Sequence, residues 1–148
     1  MPSDTARAEV LIAAPTAEVL ATIHDVSSQP EWIPEIREVD VLEVADDGMP
    51  LRAALAAATA VGTDRYTLAY EHQADGIRWV MESGRLQTAQ VGALTAGPGP
   101  DGPESTLASY ELTIEHPLPL PGFVRSRIIN GLVTGTLEGL RDRLESRG

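Results

Sequence analysis

The chain has 148 residues, 22 acidic against 11 basic, for a formal net charge of −11, and it has no cysteine. That balance argues against a nucleic-acid partner, since phosphate neutralisation needs clustered Lys and Arg, and it leaves no disulfide or thiolate chemistry. The opening MPSDTARAEV lacks an apolar signal core and no run approaches membrane-spanning length, so no stable membrane insertion and a cytoplasmic location are expected.

In chain order, residues 6–13 set Ala6, Ala8, Val10 and Ile12 against Arg7 and Glu9 with period two, a strand. Ala14-Pro15-Thr16 starts a short helix with Val19, Leu20 and Ile23 inward. Ser27-Ser28-Gln29-Pro30 interrupts, and the stretch from Glu31 to Ile36 allows a turn or two of helix between prolines. Residues 37–44 read as a strand, and Asp46-Asp47-Gly48 as a turn. Leu51–Val61 is alanine-rich and helix-favouring by propensity, yet a turn and Gly62 bracket it between strands, so it is expected to be a strand.

The next runs alternate clearly. Asp64, Tyr66, Leu68 and Tyr70, then Ile77, Trp79 and Met81, share the inner face of a hairpin. A strand from about Arg85 to Ala96 follows, then a loose hairpin tip over Gly97–Pro103. The final strand, Ser105–Glu115, turns Thr106, Ala108, Tyr110, Leu112 and Ile114 one way.

After a proline ladder (Pro117, Pro119, Pro121) and Gly122, the chain reads as one helix over 121–146. Ile129, Val133, Leu137, Leu140 and Leu144 recur at helical spacing. Val124, Ile128 and Leu132 form a second stripe, which Gly131, Gly135 and Gly139 continue. Three interior glycines cost a helix on the order of 3 kcal/mol relative to alanine. Either close backbone packing or room for a ligand beneath the helix would explain them. The charged residues of the segment, Arg125, Arg127, Glu138, Arg141 and Asp142, rule out a membrane span.

The predicted fold is therefore one α+β domain over residues 1–148: a curved antiparallel sheet of about seven strands, two short helices after the first strand, and a long C-terminal helix. A curved sheet wrapped around a helix leaves a space between them, a common ligand site. The Ala, Gly and Pro content, with arginine at every basic position, points to a high-GC genome.

The order and spacing of several motifs resemble the START-like, Bet v 1-like (SRPBCC) superfamily with its helix-grip fold. They are similar in particular to the polyketide cyclase/dehydrase and lipid-transport group abundant in actinobacteria. The matching pieces are Val10-x-Ile12-x-Ala14-Pro15, Val19, Ile23-x-Asp25 and Pro30-x-Trp32-x-Pro34. Further on come Gly62-x-x-x-Tyr66-x-Leu68-x-Tyr70, Trp79, Pro119-x-Pro121-Gly122-Phe123 and Thr136-Leu137-x-Gly139-Leu140. The resemblance implies a fold and a pocket rather than a reaction.

No nucleophile–base set stands out. His24, His72 and His116 fall on three elements at no metal-ligand spacing, so neither a metal nor a nucleotide cofactor is expected. The chain has two Trp, three Tyr and one Phe, and five of these are expected to meet beneath the helix. The expected ligand-binding set is Trp32, Tyr66, Leu68, Tyr70, Trp79, Met81, Tyr110, Leu112, Ile128, Leu132 and Gly135, with Trp32 near the entrance. Arg65 and Arg78 are on the other face.

Three readings follow. The first is a monomer or homodimer that binds a hydrophobic small molecule, lipid or polyketide-like. The second is an aromatase/cyclase acting on a poly-β-ketone, with Tyr66 or Tyr110 as polarising acid. The third is an interaction protein resembling the ribosome-associated or quinone-binding cousins in the superfamily, against which the acidic balance weighs.

Overall fold

The computed structural model describes residues 3–59, 62–116 and 119–146. Strand β1 (Ser3–Ile12) leads into helix α1 (Thr16–His24) and a 3-10 helix (Val26–Glu31). Six strands follow: β2 (Ile36–Val44), β3 (Pro50–Thr59), β4 (Gly62–Gln73), β5 (Gly76–Gly84), β6 (Ala89–Gly99) and β7 (Gly102–Glu115). Helix α2 (Gly122–Glu145) closes the chain. The strands form one sheet in the order β1-β7-β6-β5-β4-β3-β2. Every pairing is antiparallel: short links require it from β2 to β7, and β1 joins the edge of the sheet antiparallel to β7. This is the expected helix-grip architecture.

The inner face carries the core. Tyr66, Leu68 and Tyr70 of β4, Ile77 and Trp79 of β5, Leu94 of β6, and Ala108, Tyr110 and Leu112 of β7 are all buried. They meet Ile129, Val133, Leu137, Leu140 and Leu144, which form the buried stripe of α2. Each buried leucine there is worth about 2–5 kcal/mol against truncation to alanine. The helix lies mainly along β1 and, to a lesser extent, β7, and α1 rests on β5, β6 and β7. The space between α2 and the far strands is left to be filled.

Some boundaries differ from the sequence reading. The second short helix spans Val26–Glu31 rather than starting at Glu31. Pro30 sits inside it, while Trp32 and Ile33 donate their N–H groups back to the Gln29 carbonyl. The strand placed at Arg85 begins at Ala89, because Leu86 and Gln87 turn aside to bond Asp64. The loose tip over Gly97–Pro103 is mostly strand: Pro98 pairs with Thr106 and Gly99 with Gly102, leaving a two-residue turn. Strand β6 has no β5 partner beyond Thr95, and Gly102 takes φ of +104° to close the turn. The alanine-rich segment is strand β3 over Pro50–Thr59, since pairing with β2 and β4 overrides helix propensity. Its expected last residues, Ala60 and Val61, lie outside the described residues, as does Pro117 of the proline ladder.

Candidate functional site

The gap beneath α2 is a cavity of two chambers. An inner chamber of about 100 Å³ has an aromatic floor built from Tyr66 and Tyr70 (β4), Trp79 (β5) and Tyr110 (β7). Leu68, Leu94 and Leu112 complete the sheet side, and Leu132 and Thr136 form the roof. An outer chamber of about 420 Å³ opens beside the first half of α2, walled by Ile128, Gly131 and Leu132 with Arg125, Arg127 and His116 nearby. The two share Glu35, Ala58, Thr59, Gln87, Ile114 and Leu132 as common walls.

One glycine makes the floor possible. Trp79 pairs across to Gly92, and Gly92 to Leu112, so the indole lies over β6 where any Cβ would overlap it. Trp79 thereby reaches Tyr70 on one side (ring centroids 6.2 Å apart) and Tyr110 on the other (5.7 Å). Tilted aromatic pairs at such separations are favourable beyond their buried area.

A hydrogen-bonded chain runs along the wall. Trp79 Nε1 donates to Gln90 Oε1 (2.9 Å), Gln90 Nε2 to Gln87 Oε1 (2.7 Å), and Gln87 Nε2 to Asp64 Oδ2 (2.8 Å). Asp64, 1% exposed, also accepts the Leu86 N–H at 2.9 Å. These bonds occupy the amides and the aspartate, as burial of polar groups demands.

The phenols are different. Burial pushes the Tyr66 hydroxyl far up from its usual pKa, helped by the charges of Asp64 and Glu35. Burial also raises Tyr70, with Tyr66 adding to it, and raises Tyr110, with Tyr66, Tyr70 and Glu35 adding. All three therefore stay neutral at any ordinary pH. Among the described residues two buried side-chain oxygens have no hydrogen-bond partner, Tyr70 Oη and Glu35 Oε2. Both residues line the inner chamber.

A family model described as polyketide cyclase / dehydrase and lipid transport matches residues 3–147. The chain belongs to this family. No curated protein matches it. Among solved structures, a START superfamily protein from Mycobacterium smegmatis is 24% identical, covering 97% of this chain and 99% of that one, with a TM-score of 0.88. The Zhui aromatase/cyclase from Streptomyces sp. R1128 is 16% identical over 99% of this chain and 96% of its own, with a TM-score of 0.78. A STAR-related lipid transfer protein from Xanthomonas axonopodis is 20% identical over 94% and 84%, with a TM-score of 0.67. At these identities the likeness is one of fold.

Within this member of the polyketide cyclase/dehydrase and lipid transport family, most of the expected site residues meet. Tyr66, Leu68, Tyr70, Trp79, Tyr110 and Leu112 line the inner chamber, Ile128 the outer one, and Leu132 both. Trp32 does not: it is buried away from both chambers, its Nε1 donating to Ser28 Oγ at 2.9 Å. Trp32 caps the end of the 3-10 helix, and its backbone carbonyl lies against Gly139. Met81 does not line the cavity either; its thioether packs where a Cβ of Gly84 would go. Arg65 is exposed and Arg78 half-buried, each beside a carboxylate, Glu38 and Asp75 respectively.

The glycine stripe of α2 divides between its two explanations. At Gly139 any Cβ would run into the Trp32 backbone carbonyl, so this glycine is close packing. At Gly131 a Cβ would meet nothing within 4 Å, and the position borders the outer chamber. A methyl group at Gly135 would lie 3.8 Å from Glu35 Oε1. Gly135 is thus not itself a wall; it makes room above a carboxylate.

Glu35 went unread in the sequence. The available signal was a carboxylate between Ile33 and Ile36, both of which are buried. The histidines also depart from their sequence scatter. His24 Nδ1 and His72 Nδ1 lie 2.8 Å apart, and His72 Nε2 is 2.5 Å from the Pro50 carbonyl, tying α1 to β3 and β4. Among the described residues no group of three or more His, Cys, Asp or Glu is placed to hold a metal ion. Nor is any described helix long and apolar enough to cross a membrane.

Proposed function

We propose that this protein binds a hydrophobic small molecule, lipid or polyketide-like, in the two-chambered space between sheet and α2. The observation that carries the reading is the convergence of four aromatic side chains from three strands on one chamber, beside an outer chamber of about 420 Å³. That size falls in the range of roughly 300–1,000 Å³ typical of small-molecule sites. The proposed ligand-contacting residues are Tyr66, Leu68, Tyr70, Trp79, Tyr110 and Leu112, with Leu132 and Ile128 above.

Burial keeps the Tyr66 and Tyr110 hydroxyls protonated, so towards a bound molecule each is a hydrogen-bond donor and not a base. The test is uptake of Nile red, an apolar dye that brightens on leaving water. Wild type is expected to bind it and Gly135→Leu to bind it more weakly while keeping its melting temperature within a few degrees. Absence of uptake by folded wild type would refute the reading.

A further inference from the structure

The outer face of the sheet, turned away from α2 and the cavity, has a pattern of its own. The alternation that points Tyr70, Trp79, Leu94 and Tyr110 inward turns the residues between them outward. Cross-strand pairing lines these up in rows that span five strands. One row runs through Glu71 (β4), Arg78 (β5), Ala93 (β6), Glu111 (β7) and Arg7 (β1). The next runs through Ala69, Val80, Val91, Thr113 and Thr5. Val80 and Val91 are direct partners, yet they are 56% and 53% exposed, on a face where solvent alone would favour polar residues. Residues of both rows line a shallow hollow of about 360 Å³.

The charges of the first row form their own complement. From β4 to β1 the order is minus, plus, neutral, minus, plus. Reversed, it meets the original with the opposite sign at every charged position. A two-fold axis along β6, between two sheets laid face to face, performs that reversal. It sets Glu71 of one copy on Arg7 of the other, Arg78 on Glu111, and Ala93 on Ala93. The same operation brings Val91 onto Val91 and Val80 onto Thr113. A third row begins with Gln73 and ends with Glu9, so there an amide meets a carboxylate. The first two rows hold two acids and two arginines, an area of no net charge on a chain of net charge −11. Two copies can approach there without the repulsion that the rest of the molecule imposes.

We infer that the outer face of the sheet is an interface for a second copy of this chain, closed by a two-fold axis along β6. Within one copy Arg7 lies 3.7 Å from Glu111 and Arg78 lies 3.2 Å from Asp75, and such exposed pairs add little by themselves. In the dimer, Glu111 and Arg7 of one copy cover Arg78 and Glu71 of the other. Each charge then has an opposite charge beside it and another above it. The symmetry repeats this four-residue cluster at both ends of the row. The valine band supplies the apolar middle. With neighbouring strands about 4.8 Å apart, the row measures about 19 Å from first strand to last, a contact at the low end of specific interfaces. The cavity and α2 take no part, so the inference stands apart from the hydrophobic-ligand reading.

The experiment is sedimentation equilibrium of the full chain in about 20 mM salt, where surface charges are least screened. Wild type is expected to dimerise with a Kd of about 10–100 µM, and more weakly at about 0.5 M salt. Arg7→Glu sets acid on acid at both ends of the row, and Glu71→Arg sets cation on cation. Each variant alone should therefore associate at least about tenfold more weakly. Mixed in equal amounts, the two variants restore opposite charges at both ends and should dimerise with each other to within about threefold of wild type. Within one copy these two positions are about 19 Å apart along the sheet, beyond direct contact, so recovery on mixing is specific to the two-fold contact. Wild type that stays monomeric at about 500 µM in low salt overturns the inference and needs no variant to fold. So does a wild-type dimer that both folded variants preserve, or a mixture that stays monomeric. Nile red uptake should be the same in wild type and both variants, and its absence in wild type would count against the hydrophobic-ligand reading alone.

Discussion

The glycines of α2 give a prediction of opposite signs from one substitution. Replacing an interior helical glycine by alanine stabilises a helix by about 1 kcal/mol when nothing obstructs the methyl. Nothing lies within 4 Å of a Cβ at Gly131, so Gly131→Ala should gain close to that full amount. At Gly139 the same methyl would collide with the Trp32 carbonyl, which is backbone and cannot rotate aside. Overpacking that forces backbone shifts costs typically 1–3 kcal/mol, and so deep an overlap with fixed backbone falls in the upper part of that range, about 2–3 kcal/mol. Set against the propensity gain, Gly139→Ala should lose about 1–2 kcal/mol net. With an unfolding entropy of about 2.1 cal/mol/K per residue, a chain of this length changes its melting temperature by about 3 °C per kcal/mol. Differential scanning calorimetry should therefore show a rise of about 3 °C for Gly131→Ala and a fall of about 3–6 °C for Gly139→Ala. A rise of similar size in both would mean that α2 does not approach Trp32 closely, and the account of the stripe would be lost.

Three further outcomes are expected. Asp64→Ala removes the acceptor of both Leu86 N–H and Gln87 Nε2 and should destabilise by about 2–4 kcal/mol in urea titration; a change below about 0.5 kcal/mol would show that the network carries no weight. His24 is held below its ordinary value of 6.5, first by burial and then by the charge of His72. The unfolded chain therefore binds the proton more readily, so stability is full above about pH 6.5 and falls as pH drops through and below it. His24→Asn should flatten that slope in urea midpoints compared at pH 7.5 and 5.5, and an unchanged slope would place its origin elsewhere. Tyr66→Phe keeps the ring and removes the hydroxyl. A binding protein should lose about 0.5–1.5 kcal/mol of Nile red affinity, whereas a cyclase relying on that phenol would lose roughly 100-fold or more in rate.

Period-two alternation was enough to turn Tyr66, Leu68 and Tyr70 to the same face as Trp79 and Tyr110, because one buried face fixes the register of every strand in a meander. The 3.6-residue stripe from Ile129 to Leu144 likewise named the buried face of α2. What escaped the sequence depended on irregular backbone. Trp32 and Glu35 are three residues apart, and where each points depends on where the 3-10 helix begins and how β2 starts. Neither follows from periodicity. The His24–His72 contact joins residues far apart in the chain at the end of α1, and only the seating of α1 on the sheet brings them together. Composition fixed the number of aromatics, while the lack of a partner at Tyr70 Oη and Glu35 Oε2 depends on how several elements pack around them.

The sheet order has a consequence for how the chain is made. Strands β2 to β7 each pair with a neighbour in sequence, but β1 pairs with β7, matching Ser3 to Glu115. Closing so long a loop must precede its reward, and pairings of this kind slow folding. Because α2 lies chiefly along β1, the roof of the cavity cannot seat until the first strand has found the last. Pulse-labelled hydrogen exchange should protect β4–β5 amides before those of β1–β7, and the reverse order would contradict this. Strand β1 thus stays unpaired until β7 has formed, and the chamber beneath α2 comes into being only once those two strands have met.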